Sequence, residues 1–350
     1  MAVPIDLEII KIQRETENAY TYFLQPLTKK TIQYQAGQFL TVMLQRNEIF
    51  IRRSYSFSST PEVDEQPAIT IKEVQNGEVS RYLLKTLCEH SVISVLKPAG
   101  IFTLETDPGW QRDLFFIAAG SGITPVFSLM KKLLYTEPRS HCILILQNSS
   151  KRSIIFNSAL EKLQKTYQNN FTWINLLSRP ETGQHPQRLN ISLLELLILN
   201  QSRFEKEKTL FYTCGPRPFM RMVEFTVRTA GFAADQIRQE NFVVDQPPTP
   251  SFYIDDSPRN IIIHMNDNIY RFSVIYPKTI LQAALDHSID LPYSCRGGRC
   301  STCVARCVKG SMKMSINEVL TEKDLQKGLV LPCVGFAETD IELEYDLVVG

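Results

Sequence analysis

Up to about residue 105, apolar and polar positions alternate in short runs, at residues 7–12, 20–24, 39–44 and 68–71, with turn residues between them. Period-two alternation buries one face of a strand, so these runs predict antiparallel strands closing as a small β-barrel. A helical pattern near residues 79–87 interrupts them. After Glu105-Thr106-Asp107-Pro108-Gly109 the texture changes to unbroken apolar runs at residues 114–119, 142–146, 171–177 and 210–213, separated by amphipathic stretches. Such runs read as parallel strands buried on both faces, hence a doubly wound α/β domain. The stretch Asp245-Gln246-Pro247-Pro248-Thr249-Pro250 can continue neither a helix nor a central strand and reads as a linker. Two further strands follow, at residues 261–265 and 269–272 across the turn at 266–268, then a helix near 279–287. The expected boundaries are 1–108, 109–245, a linker at 246–259, and 260–350.

Composition removes whole classes of function. The 350 residues are 43% apolar and 21% charged, ordinary globular usage with material for several cores. No stretch approaches the apolar length of a membrane span, and the start lacks the basic and apolar regions of a secretory signal, so a cytoplasmic protein is expected. Thirty-eight Lys and Arg against thirty-seven Asp and Glu leave a formal charge of +1, which argues against a broad nucleic-acid footprint. Eight cysteines are too sparse for a disulfide scaffold, yet Cys295, Cys300, Cys303 and Cys307 fall within thirteen residues, and Cys333 follows.

Cys295, Cys300 and Cys303 form C-x4-C-x2-C, and twenty-nine residues intervene before Cys333. That is a plant-type ferredoxin spacing, able to wrap a 2Fe-2S cluster in four thiolates. Gly297 and Gly298 stand where the backbone must curl around the cluster with its amides inward. A structural zinc site is the competing reading, disfavoured because a shared middle cysteine is not the paired-knuckle pattern of zinc folds. Cys307 reads as a buried or bystander thiol, and Cys88 and Cys142 as core residues.

Arg53, Tyr55 and Ser56 end a strand of the barrel segment. Read as chemistry, Arg53 would pair with a diphosphate, Tyr55 would lie along a ring or sugar chain, and the Ser56 hydroxyl would reach a ring nitrogen. Gly77, Val79 and Ser80 open the segment's helix, where free amides favour an anion, although Gly77 could be a plain turn residue. In the second segment, Gly120-Ser121-Gly122-Ile123-Thr124-Pro125 joins a buried strand to a helix. This is neither a Walker loop nor G-x-G-x-x-G, but its glycines would admit phosphates. A later strand end, Cys214-Gly215-Pro216, reaches a similar turn at the carboxyl edge where α/β ligands bind.

R-x-Y-S, G-x-V-S, G-S-G-I-T-P, Y-x-C-G-P and the cysteine loop, in that order, resemble the ferredoxin-NADP reductase superfamily with a C-terminal ferredoxin domain. The order looks most like the reductase components of multicomponent oxygenases, especially the phenylacetyl-CoA epoxidase reductase subgroup. The resemblance implies a β-grasp fold for the third domain, and FAD at Arg53, Tyr55, Ser56, Gly77, Val79 and Ser80, with Ser56 near flavin N5. It also implies NAD(P)H at Gly120, Gly122, Ile123 and Thr124, and Cys214 beside the nicotinamide. Glu240-Asn241-Phe242 resembles the family's closing acidic-aromatic segment. Electron counting gives the expected mechanism: hydride from NAD(P)H to FAD, then single electrons through the cluster to a partner oxygenase, hydroxylase or desaturase. A general ferredoxin or flavodoxin reductase, or a diaphorase, is the alternative enzyme, and a non-catalytic iron-sulfur redox sensor the alternative of another class.

The second nucleotide-domain strand ends in Gln147-Asn148-Ser149-Ser150-Lys151-Arg152, with no acid for ribose hydroxyls. Arg152, Ser178 and Arg179 therefore point to the 2'-phosphate of NADPH, with NADH as the alternative. Arg296, Arg299 and Arg306 crowd the cysteine loop and suggest a docking face for an acidic partner. Glu338, Asp340, Glu342, Glu344 and Asp346 alternate as one face of a last strand.

Overall fold

The computed structural model describes residues 4–28, 31–46, 49–183, 185–242, 250 and 252–345. The first strands are β1 (Ile5–Thr16), β2 (Ala19–Pro26), β3 (Phe39–Arg46), β4 (Ile49–Ser56) and β5 (Ala68–Lys72), followed by helix α1 (Glu78–Thr86) and β6 (Val92–Val95). They form a six-stranded sheet in the order β4-β3-β6-β1-β2-β5. A bridge between Phe57, just past β4, and Ile69 on β5 joins the two ends of that order, which is the closure a barrel requires. Alternation places Leu7, Ile9, Tyr22, Leu24, Leu40 and Ile71 inside, each almost fully buried.

The middle of the chain alternates β7 (Asp113–Ala119), α2 (Ile123–Thr136), β8 (His141–Asn148), α3 (Asn157–Thr166), β9 (Phe171–Leu177), α4 (Ile191–Gln201), β10 (Thr209–Cys214), α5 (Arg217–Thr229) and β11 (Ile237–Glu240). All neighbours in the sheet β11-β10-β7-β8-β9 are parallel. Successive residues of β7 face opposite cores. Leu114, Phe116 and Ala118 pack with α2 and α3, while Phe115 and Ile117 pack with α4 and α5. That explains the unbroken apolar runs. After β9 the chain crosses to the other side of β7 to form β10, so the strand order reverses between β7 and β10 while all strands stay parallel, and open α/β sheets bind ligands at such a point.

The last part contains β12 (Arg259–Met265), β13 (Asn268–Val274), α6 (Ile280–Asp286), β14 (Ala305–Lys309), β15 (Met312–Met314), α7 (Glu322–Gln326), β16 (Leu329–Val330), β17 (Gly335–Ala337) and β18 (Ile341–Glu344). Its main sheet runs β13-β12-β18-β14-β16, with β12 and β18 parallel and the other pairs antiparallel. The turn residues Asn266 and Asp267 both adopt positive φ, as a tight two-residue hairpin demands. Thr279 caps α6 by accepting the Gln282 amide at 3.2 Å.

By compactness the chain divides into two units: Ile5–Met43 with Tyr55–Glu240, and Leu44–Ser54 with the chain from Asn241 onward. Part of the expected linker, residues 246–249 and 251, lies outside the described residues. Three expectations need correction. Cys88 is exposed rather than core, because it lies just beyond α1 on a surface turn where its thiol meets Ser91 Oγ at 3.2 Å. The last strand is short, so only Glu342 and Glu344 belong to it. Glu338 pairs with Lys313 at 2.9 Å and Asp340 accepts the Asn260 amide at 2.8 Å, while Asp346 lies outside the described residues. Arg299 is 2% exposed and ion-paired to Glu318 at 3.0 Å, so it cannot face a docking partner. Among the described residues, no helix is long and apolar enough to cross a membrane.

Candidate functional site

Two strand-to-helix turns meet where the strand order of the parallel sheet reverses. Gly120–Gly122 forms a short 3-10 turn between β7 and α2, and a Cβ on Gly122 would lie 2.0 Å from the Cys214 carbonyl oxygen at the end of β10. Only glycine allows that approach. Gly120 adopts φ +57°, and its Cβ position would be 3.6 Å from Lys72 Nζ at the end of β5. Ile123 and Thr124 begin α2, both buried, with Thr124 Oγ1 donating to the Ser121 carbonyl at 3.0 Å. No side chain caps that helix, although the Ile123 amide already donates to the Gly120 and Ser121 carbonyls and Pro125 has no N–H to offer. Gly215 follows against Ala119, and Pro216 starts α5 as its cap.

Beside these turns lies a buried polar constellation. Parallel register sets Cys214 opposite Glu240, the last residue of β11. Ser56 Oγ donates to Glu240 Oε2 at 3.0 Å, although 184 positions separate them in sequence. All three side chains are at most 5% exposed. Burial pushes the Glu240 carboxyl up to about 8, partly offset by the Ser56 hydrogen bond. Burial also pushes the Cys214 thiol well above its usual range, and Glu240 adds to the effect. At neutral pH the cluster therefore holds a thiol, a hydroxyl and a protonated carboxyl, none of them charged.

Tyr55 is half-buried on β4, and Arg53 donates to the Arg52 carbonyl at 2.8 Å. Gly77 is the cap of α1, where a Cβ would crowd Val74 and Ser80, and Val79 is buried in the first turn. Ser80 Oγ accepts the Val74 amide at 3.0 Å and so shapes the turn itself. The ends of β8 and β9 are tied together, with the Ser178 amide donating to Asn148 O at 3.0 Å and the Arg179 amide to Ser149 O at 2.7 Å. Arg152 and Arg179 lie around this corner.

The cysteine loop is held by backbone geometry. Arg296, Gly298 and Ser301 adopt positive φ, a left-handed winding that turns successive amides toward one side. Gly298 must be glycine, since a Cβ would meet the Ile316 carbonyl oxygen at 2.8 Å. The Gly297 amide donates to Cys295 Sγ at 3.3 Å and the Cys295 amide to Cys300 Sγ at 3.4 Å. Among the described residues no three ligands converge as on a single metal ion. The four thiols interact with one another instead, Cys295 with Cys300 and Cys303 with Cys333 as hydrogen-bonded pairs, and Cys300 with Cys303 between the pairs. The Cys300 side chain and nearby amides hold Cys295 below the thiol range, while Cys300 is pushed up by its bond to Cys295. Four soft donors in two pairs, with amides aimed at sulfur, fit a two-iron cluster. Cys307 lies half-buried on β14, its thiol donating to the Lys309 carbonyl at 3.4 Å.

Sequence reasoning underweighted Glu240, whose signal was its place at the end of the last parallel strand. It missed Lys72, at the β5 terminus, whose ammonium pKa is lowered by burial. It also missed Glu318, whose carboxylate accepts Asn241 Nδ2 at 2.9 Å.

Comparison with known proteins agrees with this geometry. The profile of the oxidoreductase FAD-binding domain matches residues 6–104, that of the oxidoreductase NAD-binding domain residues 116–224, and that of the 2Fe-2S iron-sulfur cluster binding domain residues 263–338. The chain is 30% identical to the ferredoxin reductase component of 3-ketosteroid-9-alpha-monooxygenase from Mycolicibacterium smegmatis, over 98% of this chain and 97% of that protein. It is 26% identical to one of the 1,2-phenylacetyl-CoA epoxidase subunits of Escherichia coli, over 97% of each. Among solved structures, phthalate dioxygenase reductase shares the fold with a TM-score of 0.59 at 20% identity, over 98% of both chains. An intact type IV self-sufficient cytochrome P450 monooxygenase aligns with a TM-score of 0.70 at 18% identity, over 99% of this chain and 41% of that longer one. The chain belongs to the ferredoxin-NADP reductase superfamily, as an oxidoreductase with FAD-binding, NAD-binding and C-terminal 2Fe-2S domains.

Proposed function

We propose that this protein is the reductase component of an oxygenase system, taking electrons from NADPH and delivering them to a partner oxygenase, hydroxylase or desaturase. The observation that carries the reading is the convergence of Gly122, Cys214, Glu240 and Ser56 at the reversal of strand order in the parallel sheet, in a chain that also presents two thiol pairs. The Mycolicibacterium relative is itself named as the reductase component of a monooxygenase. When bound, FAD takes two electrons from the nicotinamide as hydride and releases them singly to the 2Fe-2S cluster.

The chain's own residues position and insulate. Ser56 offers its hydroxyl toward the flavin ring edge while bonded to Glu240, and Glu240 holds a proton at Oε in a site closed to water. Cys214 remains a neutral thiol and acts by shape, packing where the nicotinamide lies. Arg53 and the first turn of α1, at Gly77, Val79 and Ser80, take the FAD diphosphate, with Tyr55 along its ring and chain. Gly120, Gly122, Ile123, Thr124, Gly215 and Pro216 admit the nicotinamide nucleotide. Cys295, Cys300, Cys303 and Cys333 ligate the cluster. We assign three modules, residues 1–108, 109–245 and 260–350, joined by 246–259, following the three main sheets.

NADPH is favoured over NADH because the β8 terminus carries Ser149, Ser150 and Arg152 and no acid, and Arg179 is tied to the same corner. Steady-state turnover of the cofactor-loaded protein tests the reading. A higher kcat/KM with NADPH is expected, and a higher value with NADH would overturn the nucleotide assignment. Failure of both nucleotides to reduce the bound flavin would overturn the function itself.

A further inference from the structure

Beyond its four cysteines, the loop is gripped by side chains that ligate nothing. Glu318 Oε2 accepts Arg299 Nε at 3.0 Å and Asn241 Nδ2 at 2.9 Å, and the Glu318 amide donates to the Gly298 carbonyl at 3.1 Å. Arg299 directly precedes Cys300, and Asn241 directly follows Glu240. Arg299 is 2% exposed, and a buried guanidinium is expensive to desolvate unless paired, so breaking this pair costs more than the intact pair contributes to stability. The other flank of the loop is braced similarly. The Arg52 guanidinium stacks 4.0 Å over the Tyr293 ring and pairs with Asp290 at 2.9 Å, and Ser54 Oγ meets Ser294 Oγ at 2.9 Å. Ser54 lies two residues before Ser56.

We propose that Arg299, Glu318 and Asn241 form a positioning bridge that seats the cluster loop and balances charge beside Cys300, and so governs passage of an electron from the reduced flavin to the cluster. The inference rests on the function proposed above. In that step two-electron-reduced FAD loses one electron and the diferric cluster gains it, with NADPH as the source of both electrons. Neither Glu318 nor Arg299 touches a reacting atom; they act through the loop and through their charges. Removing the carboxylate takes one negative charge from beside Cys300 and stabilises the cluster's reduced, more negative state, whereas removing the guanidinium takes away one positive charge and does the reverse.

The experiment compares Glu318→Gln, Arg299→Gln, the double variant and Asn241→Ala in the cofactor-loaded protein. Redox titration followed by electron paramagnetic resonance should show the cluster potential raised in Glu318→Gln, lowered in Arg299→Gln and near the starting value in the double variant. Anaerobic rapid mixing with NADPH should show unchanged flavin bleaching and a cluster phase slowed about tenfold in Asn241→Ala. Unchanged potentials, or shifts of the same sign in both single variants, would overturn the bridge. If a glutamine variant fails to retain iron, the Asn241→Ala cluster phase decides alone, and an unaltered phase overturns the proposal. Absence of flavin bleaching in the unsubstituted protein would instead overturn the parent function.

Discussion

The cysteine loop and the Ser56–Glu240–Cys214 constellation solve opposite problems. The loop gathers three of its four thiols from nine consecutive residues, and its order comes from local winding at Arg296, Gly298 and Ser301. The buried constellation gathers single residues from β4, β10 and β11, and its order comes from parallel register and from Gly122 pressing on the Cys214 carbonyl. One tunes sulfur by donating amides to it; the other keeps its groups neutral by excluding water. Electron handling by a metal centre needs stabilised thiolates, whereas hydride handling needs a dry, uncharged slot.

If the two regions act in series, damage to each must separate. Cys300→Ser should abolish cytochrome c reduction while ferricyanide reduction at the flavin stays largely intact; equal loss of both would place the cysteine in the fold rather than in the electron path. Gly122→Ala forces the two turns apart, so flavin reduction by NADPH should fall about a hundredfold in stopped-flow measurements. It should also destabilise the fold by roughly 1–3 kcal/mol of overpacking, read as a lower thermal midpoint. Arg179→Ala, and separately Arg152→Ala, should raise the KM for NADPH about tenfold with little change for NADH, since a charge-assisted bond to phosphate is lost.

The smallest effect concerns protons. Glu240 binds its proton more tightly in the folded chain than at its ordinary value of 4.5, so the folded state carries the extra proton between there and about 8. Its contribution to stability is complete below 4.5 and is lost as pH rises through about 8. Denaturant titrations across that range should show the decline, and Glu240→Gln should remove it. A decline of the same slope in that variant would assign the proton elsewhere.

The regions also differ in how much the chain disclosed before folding. The three sheets were readable because alternating runs and unbroken runs bury one face or two. The ligand cysteines were readable because their spacing is local. Glu240 was visible only as part of a weak closing segment, since its meaning depends on β11 lying beside β10 and on Ser56 arriving from 184 positions away. Arg299 was misread as a docking charge because nothing local announces Glu318, nineteen positions onward, as its buried partner. Cys88 was misplaced because the helix that carries the apolar run ends at Thr86, two residues earlier, and leaves Cys88 on the surface turn. Pairings across distant segments are set by topology, and a one-dimensional pattern does not carry them.

Anaerobic titration of the purified protein with NADPH, followed by visible absorption and electron paramagnetic resonance, tests the nicotinamide-to-cluster route most directly. Flavin bands and the broader iron-sulfur absorbance should bleach together, with the signal of a reduced 2Fe-2S cluster appearing. A colourless protein, or one holding flavin and zinc without iron, would contradict the route and leave the cysteine loop a structural element.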